Sequence, residues 1–457
     1  MSRPLAVICL AAGLGKRTKV SLPKVLLPLC GRTLASSALA AVAPLQPSRV
    51  VVVVHHQKEK VQAAIQESCG GMFARLEFVD QGAPKGTGHA VQVAMQALAD
   101  FRGDVLVTYG DCPLITTDTL RQLCELRGDA PCSVLTAYLD DPTGYGRILR
   151  DDDGRFAGIR EHKDCSEAEL AIDEINAGFY CFDSERLRPA LAGLQPNNKQ
   201  GELYLTDAAA SFVGRGAGQK GHDLPTLEAD DSSEIQGVNS LADLALARAV
   251  MQERILLEHL GNGVLIVDPA TTWIDHGVTI GADTKVLPCT VIGTGCAIGS
   301  HCEVGPFAHL RAGTVLEDGA EIGNFVEAKK TRMGAGAKAK HLTYLGDATI
   351  GPKANIGAGT ITAHSDGVHK HETKIGARAF IGSGSVIVAP SEVGDDAMTG
   401  AGAIVKRGSK VGAREVWVGV PAKLLKQREL PPAKPATKDT AKPTTKDTAK
   451  AAAKEKP

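Results

Sequence analysis

Two stretches in the first quarter of the chain carry the residue types that phosphate chemistry needs. After the apolar run 5–10 comes Ala11-Ala12-Gly13-Leu14-Gly15-Lys16-Arg17, followed by Leu22-Pro23-Lys24. Small residues leave backbone amides open to an anion, and Arg17 and Lys24 are cations placed to meet a triphosphate. Neither common phosphate loop fits: a dinucleotide fingerprint needs Gly where Thr18 stands, and a Walker A loop needs Gly at Leu10. The second stretch is Tyr109-Gly110-Asp111-Cys112-Pro113-Leu114, which puts a carboxylate at the end of the apolar run 105–108. Taken alone, Asp111 could cap a helix starting near Thr116. With a phosphate-facing loop in the same half it reads as a Mg²⁺ ligand, because that hard cation takes few protein oxygens and completes its shell with substrate phosphates.

A third set lies far along the chain: Arg311, Glu327, Lys329, His341, Tyr344 and Asn355. A lone His there would be an ordinary surface or corner residue, but this density of polar groups is unusual for such a stretch.

Two different kinds of element must hold these residues. Up to about residue 235, short apolar runs such as 5–10, 50–54 and 105–108 are separated by Ala/Leu-rich segments of helical spacing, the pattern of an α/β unit with a mainly parallel sheet. Ligands of such sheets bind beyond the carboxyl ends of strands, which points to the loops after residues 10 and 108. Residues 240–260 lack Gly and Pro and are expected to form a connecting helix. Beyond them apolar side chains recur every six residues, at Ile280, Val286, Ile292, Ile298, Val304, Leu310, Leu316 and Ile322, then at Ile375, Ile381, Ile387 and Val393, and again at Val405 and Val411. Hexads of this kind stack as coils of a prism with an aliphatic column inside. The phase falters between about 328 and 374, and residues 362–374, rich in His, Lys and Asp, read as a loop leaving the coil toward a site.

Composition fits this plan. Aromatics are 4% while 43% of the 457 residues are hydrophobic and 50 are Gly, so the apolar content is aliphatic and Gly-punctuated. The formal charge of −1 gives no footprint for nucleic acid. No apolar run reaches membrane-spanning length and no signal peptide is recognisable, so the cytoplasm is the expected compartment. The eleven Cys include no CxxC pair and read as reduced, structural thiols. From Pro431 onward ThrLysAspThr at 437–440 returns at 445–448 without aliphatic core residues, and we expect a disordered Lys-rich tail. The expected organisation is therefore domain 1–239, connecting helix 240–260, β-helix 261–428 and tail 429–457.

Specific strings narrow the function. LeuAlaAlaGly with Arg17 and LeuProLys, Gln81 with Gly86-Thr87-Gly88-His89, TyrGlyAsp, AspProThrGlyTyrGlyArg at 141–147, GluHisLysAsp at 161–164, GluIleAsnAlaGly at 174–178 and Gly237-Val238-Asn239 resemble the bifunctional GlmU family. So do Gly323-Asn324-Phe325-Val326-Glu327, the His341-Leu342-Thr343-Tyr344-Leu345-Gly346-Asp347 string and Asn355-Ile356-Gly357-Ala358-Gly359-Thr360, and the likeness spans about residues 5 to 415.

The resemblance implies a Rossmann-like nucleotidyltransferase domain followed by a left-handed parallel β-helix of hexapeptide repeats. It implies acetyl transfer from acetyl-CoA to glucosamine-1-phosphate, then uridylyl transfer from UTP to N-acetylglucosamine-1-phosphate. By that likeness Leu10, Ala11, Ala12, Gly13, Gln81, Gly86 and Thr87 hold the uridine, Gly146, Glu161 and Asn176 the sugar, and Asp111, flanked by Tyr109 and Gly110, joins Asn239 on Mg²⁺. Arg17 and Lys24 neutralise the phosphates. His341 deprotonates the attacking amine with Glu327 orienting its ring, Arg311 and Lys329 bind the phosphate, and Tyr344 and Asn355 the sugar. Ala358, Ser383 and Ala401 line the coenzyme groove, with His364 and Ser365 at further coenzyme positions. Two departures stand out: His364-Ser365 replaces Asn-Tyr, and the Arg expected near the end of the β-helix is missing around Val418-Gly419. A homotrimer follows from the same likeness. The competing reading keeps only the nucleotidyltransferase and makes the β-helix structural or regulatory.

Overall fold

The computed structural model describes residues 3–213, 222–427 and 429, so the tail expected over 429–457 lies, but for Glu429, outside the described residues. The first domain is built on a nine-stranded sheet. Strands β1 (Leu5–Leu10), β2 (Arg49–Val54), β3 (Leu76–Asp80) and β4 (Asp104–Tyr109) run parallel in the order β3-β2-β1-β4. Beyond β4 the sheet continues antiparallel through Glu174–Asp183 to Cys132–Tyr138, with Thr226–Glu228 at the edge. β1 and β2 are buried along their whole length, because helices cover both faces. Side chains of β1 alternate between two cores: Leu5, Val7 and Cys9 pack with the helices Leu34–Val42, Lys58–Cys69 and Thr117–Arg127, whereas Ala6, Ile8 and Leu10 face Thr87–Ala97, Ser184–Ala192 and Leu205–Ala210. The chain leaves β1 toward β2 on one side and returns to β4 on the other. Their carboxyl ends therefore flank a crevice.

The helix α1 (Leu241–Gly261) follows, capped by Ser240 and Asp243, which exchange hydrogen bonds with each other's backbone. It belongs to one continuous core that runs from Leu27, Leu29 and Leu34 through Leu244, Met251 and Ile255 into the β-helix. Buried Gln252 fixes the junction: its amide donates to Ile274 O (2.5 Å) and accepts from Ile274 N (2.9 Å).

From residue 265 short strands stack in parallel on three faces, each strand pairing with the one a full coil later. The column of hexad residues is buried throughout. The faltering region keeps that column as Ala328, Met333, Ala339, Leu345, Ile350, Ile356 and Thr362, all buried. Two steps, Ala328 to Met333 and Leu345 to Ile350, are five residues instead of six, and Ala and Thr replace the larger aliphatics. The apparent loss of pattern is thus a pair of shortened turns followed by one excursion. That excursion folds back on itself, with Ser365 bridged to Lys370 and His371 N donating to His364 O (2.8 Å).

Candidate active sites

The crevice between β1 and β4 gathers the first constellation. Ala11 N donates to Val53 O (2.8 Å) and Gly110 N to Leu10 O (2.9 Å), so both loops leave the sheet at one level. Leu10, Ala11 and Ala12 are buried and Gly13 is exposed. Gly15 has φ +59°, and a side chain there would put its Cβ 2.9 Å from Lys24 Cβ, so the turn demands Gly. Thr18, which breaks the dinucleotide fingerprint, donates its hydroxyl to Gly15 O (2.8 Å) and closes this turn.

Lys24 is only 8% exposed. Its ammonium donates to Asp111 Oδ2 and to Asn239 Oδ1 (3.0 Å), so three residues from distant parts of the chain meet at one point. Val238 N donates to Asp111 O (2.8 Å) and Asn239 N to Asp243 Oδ2 (2.9 Å), tying the main chain of both residues to the start of α1. The helix near Thr116 is capped by Thr116 itself, whose side chain accepts from Thr119 N; Asp111 is free of that duty. Arg17 is exposed and lines the same cleft as Tyr109, Asp111, Tyr145 and Asn239. Cys112 lines it too, and burial pushes its thiol well up, so it is a neutral wall rather than a nucleophile.

Gln81 is buried and donates to Gly86 O (3.1 Å), while Thr87 Oγ accepts from Leu205 N (3.2 Å). Gly86, at φ +103°, lies where a Cβ would come within 2.5 Å of Leu203 O. Asn176 N donates to Gly146 O (2.8 Å), and a Cβ on Gly146 would lie 3.6 Å from Glu161 Oε2, so the three residues of the expected sugar site are adjacent. Burial, with Asp207 and Asp164 nearby, raises the Glu161 carboxyl's affinity for its proton, partly offset by the hydrogen bond from Thr206 (3.2 Å). The Tyr109 ring meets Phe179 edge-on at 5.8 Å.

On the β-helix, backbone bonds at one corner run Leu342 N to Asn324 O, Gly359 N to His341 O, Gly384 N to Ala358 O and Gly402 N to Ser383 O. Asn324, His341, Ala358, Ser383 and Ala401 therefore form one column up the corner, coil over coil. His341 Nδ1 lies 2.8 Å from Asn324 Oδ1. Since that oxygen only accepts, the proton sits on Nδ1 and leaves the Nε2 lone pair free. Asn324 thus holds the ring, in place of the Glu327 expected for it. Glu327 instead accepts from Arg311 Nη1 (2.8 Å). Glu327 and Tyr344 are direct neighbours on the adjoining face, and Lys329 pairs there with Gly346. Asn355 stands opposite Lys338 of the preceding coil.

His364 is buried and its ring lies 5.7 Å from that of Tyr344, so the structure seats it beside the tyrosine expected at the sugar. Its Nε2 is 3.4 Å from Asp347 Oδ2, and both atoms are buried without another partner among the described residues. Asp347 received no role from the sequence. Its spacing after His341 stands in the sequence, but it is the pairing of the two strands, Tyr344 with Ile361, that brings it beside His364. Ser365 is exposed in the hairpin.

Among the described residues no helix is long and apolar enough to cross a membrane, and all eleven Cys are free. Residues 7–208 match the MobA-like NTP transferase domain model, and residues 372–407 match the bacterial transferase hexapeptide model of six repeats. The chain is 39% identical over 456 residues to the bifunctional protein GlmU of Corynebacterium diphtheriae, covering 92% of this chain and 93% of that one. It is 40% identical over 447 residues to the bifunctional protein GlmU of Synechococcus sp., covering 90% of this chain and 96% of that one. With its two folds in the matching order and these likenesses over nearly its whole length, the chain belongs to the bifunctional GlmU family.

Proposed function

We propose that the chain carries out both reactions implied by its family. The β-helix transfers acetyl from acetyl-CoA to glucosamine-1-phosphate, and the α/β domain joins N-acetylglucosamine-1-phosphate to UTP with release of pyrophosphate. The observation that carries this reading is the meeting of Lys24, Asp111 and Asn239 at the strand ends, beside an open small-residue loop and Arg17.

In the α/β domain, residues 10–13 with Gln81, Gly86 and Thr87 seat the uridine, and Gly146, Glu161 and Asn176 seat the sugar. A phosphate oxygen of the sugar forms the new bond to the α-phosphorus as the bond to pyrophosphate breaks. That oxygen is already anionic, so no protein base is needed, and the protein acts by positioning and by offsetting charge through Arg17 and Lys24. The donor set fits Mg²⁺: two hard oxygens, one carboxylate and one amide, converge on a point where a cation already sits. Bound there, the metal supplies charge neutralisation on the phosphates. Among the described residues no cluster of three or more His, Cys, Asp and Glu is arranged to hold a metal, in keeping with a site that borrows substrate oxygens.

In the β-helix, His341 Nε2 accepts a proton from the glucosamine amine as its nitrogen attacks the thioester carbonyl, and the thiolate of coenzyme A leaves. Arg311 and Lys329 bind the sugar phosphate, Tyr344 and Asn355 the ring, and the column of Ala358, Ser383 and Ala401 lines the coenzyme. The working form is a cytoplasmic homotrimer. Assaying each half-reaction separately tests the reading: Asp111→Ala should lose uridylyl transfer by at least about a hundredfold and keep acetyl transfer. A variant that released pyrophosphate at the wild-type rate would overturn the metal and phosphate assignment.

A further inference from the structure

We infer that Lys24 is a resident counter-cation that holds the metal's seat in the nucleotide-free protein, so that a divalent cation gains the Asp111 and Asn239 oxygens only as a triphosphate draws Lys24 away. The inference rests on the reading of those two residues as metal ligands. Its basis is geometric. The ammonium is almost wholly buried and bonded to both oxygens at once, with Asn239 Oδ1 at 3.0 Å. The main chain that carries both oxygens is held in place, because Val238 N is bonded to Asp111 O and Asn239 N to the capping carboxylate Asp243. Mg²⁺ needs oxygens at about 2.0–2.1 Å. Sharing this pocket with an ammonium would set like charges within a few ångströms in a weakly screened place, which is strongly unfavourable.

Lys24 also has somewhere to go. Its backbone is fixed by the turn Lys24–Leu26, but its side chain passes beneath the glycine loop: a Cβ on Gly15 would be 2.9 Å from Lys24 Cβ, and one on Gly13 3.9 Å from Lys24 Cε. The same flexible four-carbon stem can therefore turn its ammonium toward phosphates lying on that loop without moving the main chain. The arriving triphosphate would supply a new partner for Lys24 and the missing oxygens for the metal together. The device makes metal entry follow nucleotide entry, and it spares Asp111 from standing as an uncompensated carboxylate in the empty crevice.

The test is direct Mn²⁺ binding to the nucleotide-free, full-length protein, read by the electron paramagnetic resonance signal of free Mn²⁺. Lys24→Met should bind Mn²⁺ about tenfold or more tightly than wild type, as expected when a like charge is removed from a cation site. Adding Asp111→Asn to Lys24→Met should erase that gain. Thermal unfolding with and without Mn²⁺ supplies a second readout: the metal should raise the melting temperature of Lys24→Met more than that of wild type. Lys24→Gln, which keeps a polar filler, serves if the Met variant does not fold. Equal Mn²⁺ affinity with and without Lys24, both lost on Asp111→Asn, would overturn the inference while leaving the ligand assignment standing. If Asp111→Asn changed nothing in either background, the ligand assignment itself would fall, and the inference with it.

Discussion

Asn324 and His364 are the residues where a few ångströms decide what the acetyl site can do. His341 is a useful base only if its ring is held with Nε2 free, and the 2.8 Å contact to Asn324 Oδ1 is what holds it. Asn324→Ala should therefore lower kcat for acetyl transfer about tenfold with little change in either KM, and leave uridylyl transfer untouched. A fall in KM-dependent terms alone would place Asn324 in binding instead. His364 sits against Tyr344 with an unbonded nitrogen facing Asp347. We propose that, together with the missing Arg near 418–419, it affects how the coenzyme is held rather than proton transfer. Wild type is thus expected to need a high acetyl-CoA concentration. His364→Ala should raise KM for acetyl-CoA further, whereas His341→Ala should abolish turnover at any concentration. Initial rates across a wide acetyl-CoA range separate the two outcomes, and no turnover by wild type at saturation would remove acetyl transfer from this chain.

At the scale of elements, α1 and the first coil form the joint between the two halves, and the joint contains a titratable group. His276 N donates to Cys30 O (2.9 Å), its Nε2 lies 3.1 Å from Met251 Sδ, and burial with Arg32 nearby lowers its pKa from 6.5 to about 4. The folded protein thus keeps His276 neutral between pH 6.5 and 4, while the unfolded chain takes up a proton there. Its contribution is present in full above pH 6.5 and is lost as pH falls toward 4, by about 1–2 kcal/mol once partial exposure is discounted. His276→Gln should flatten the fall in melting temperature across that window, and an unchanged pH slope would show that the ring is charged in place. Gln252 is the other pin of the joint. Gln252→Leu strips two hydrogen bonds from the buried backbone of Ile274 and should cost about 2–3 kcal/mol, read by urea unfolding.

The whole molecule presents an apolar ridge beside the acetyl site. Phe307 and Phe325 stack at 5.3 Å on successive coils and Leu342 lies on the next, all more than half exposed and all at positive φ. Leu342 adjoins His341 in the chain, so the ridge runs alongside the corner column. Covering it with a second copy would remove large apolar area from water and close the acetyl groove from the open side. Phe325→Asp should shift sedimentation from trimer toward monomer and lower acetyl transfer while sparing uridylyl transfer. A wild-type monomer with full acetyl activity would contradict the trimer. Removing residues 431–457 should leave both rates unchanged, since that segment carries neither core nor motif residues.

The sequence by itself determined the fold class, because its signals are local: helical spacing between apolar runs specifies helices on a parallel sheet, and six-residue spacing specifies stacked coils. It also marked the residue types at the sites, since TyrGlyAsp, the glycine loop and the His341 string are short contiguous strings. Where the coils shorten, the local signal failed, because a five-residue step and Ala or Thr in the column look like lost periodicity although every one of those positions is buried. What only the tertiary structure decided are relations between distant parts of the chain. Lys24 reaches Asn239 because the start of α1 is bonded to the loop after β4, and no spacing in the sequence encodes that meeting. Asn324 takes the ring of His341, rather than Glu327, because strand register sets them on the same corner of consecutive coils. Asp347 faces His364 for the same reason. Chemistry is written in residue types, but which groups become partners is fixed by packing, where register and loop closure bring together side chains that the chain keeps far apart.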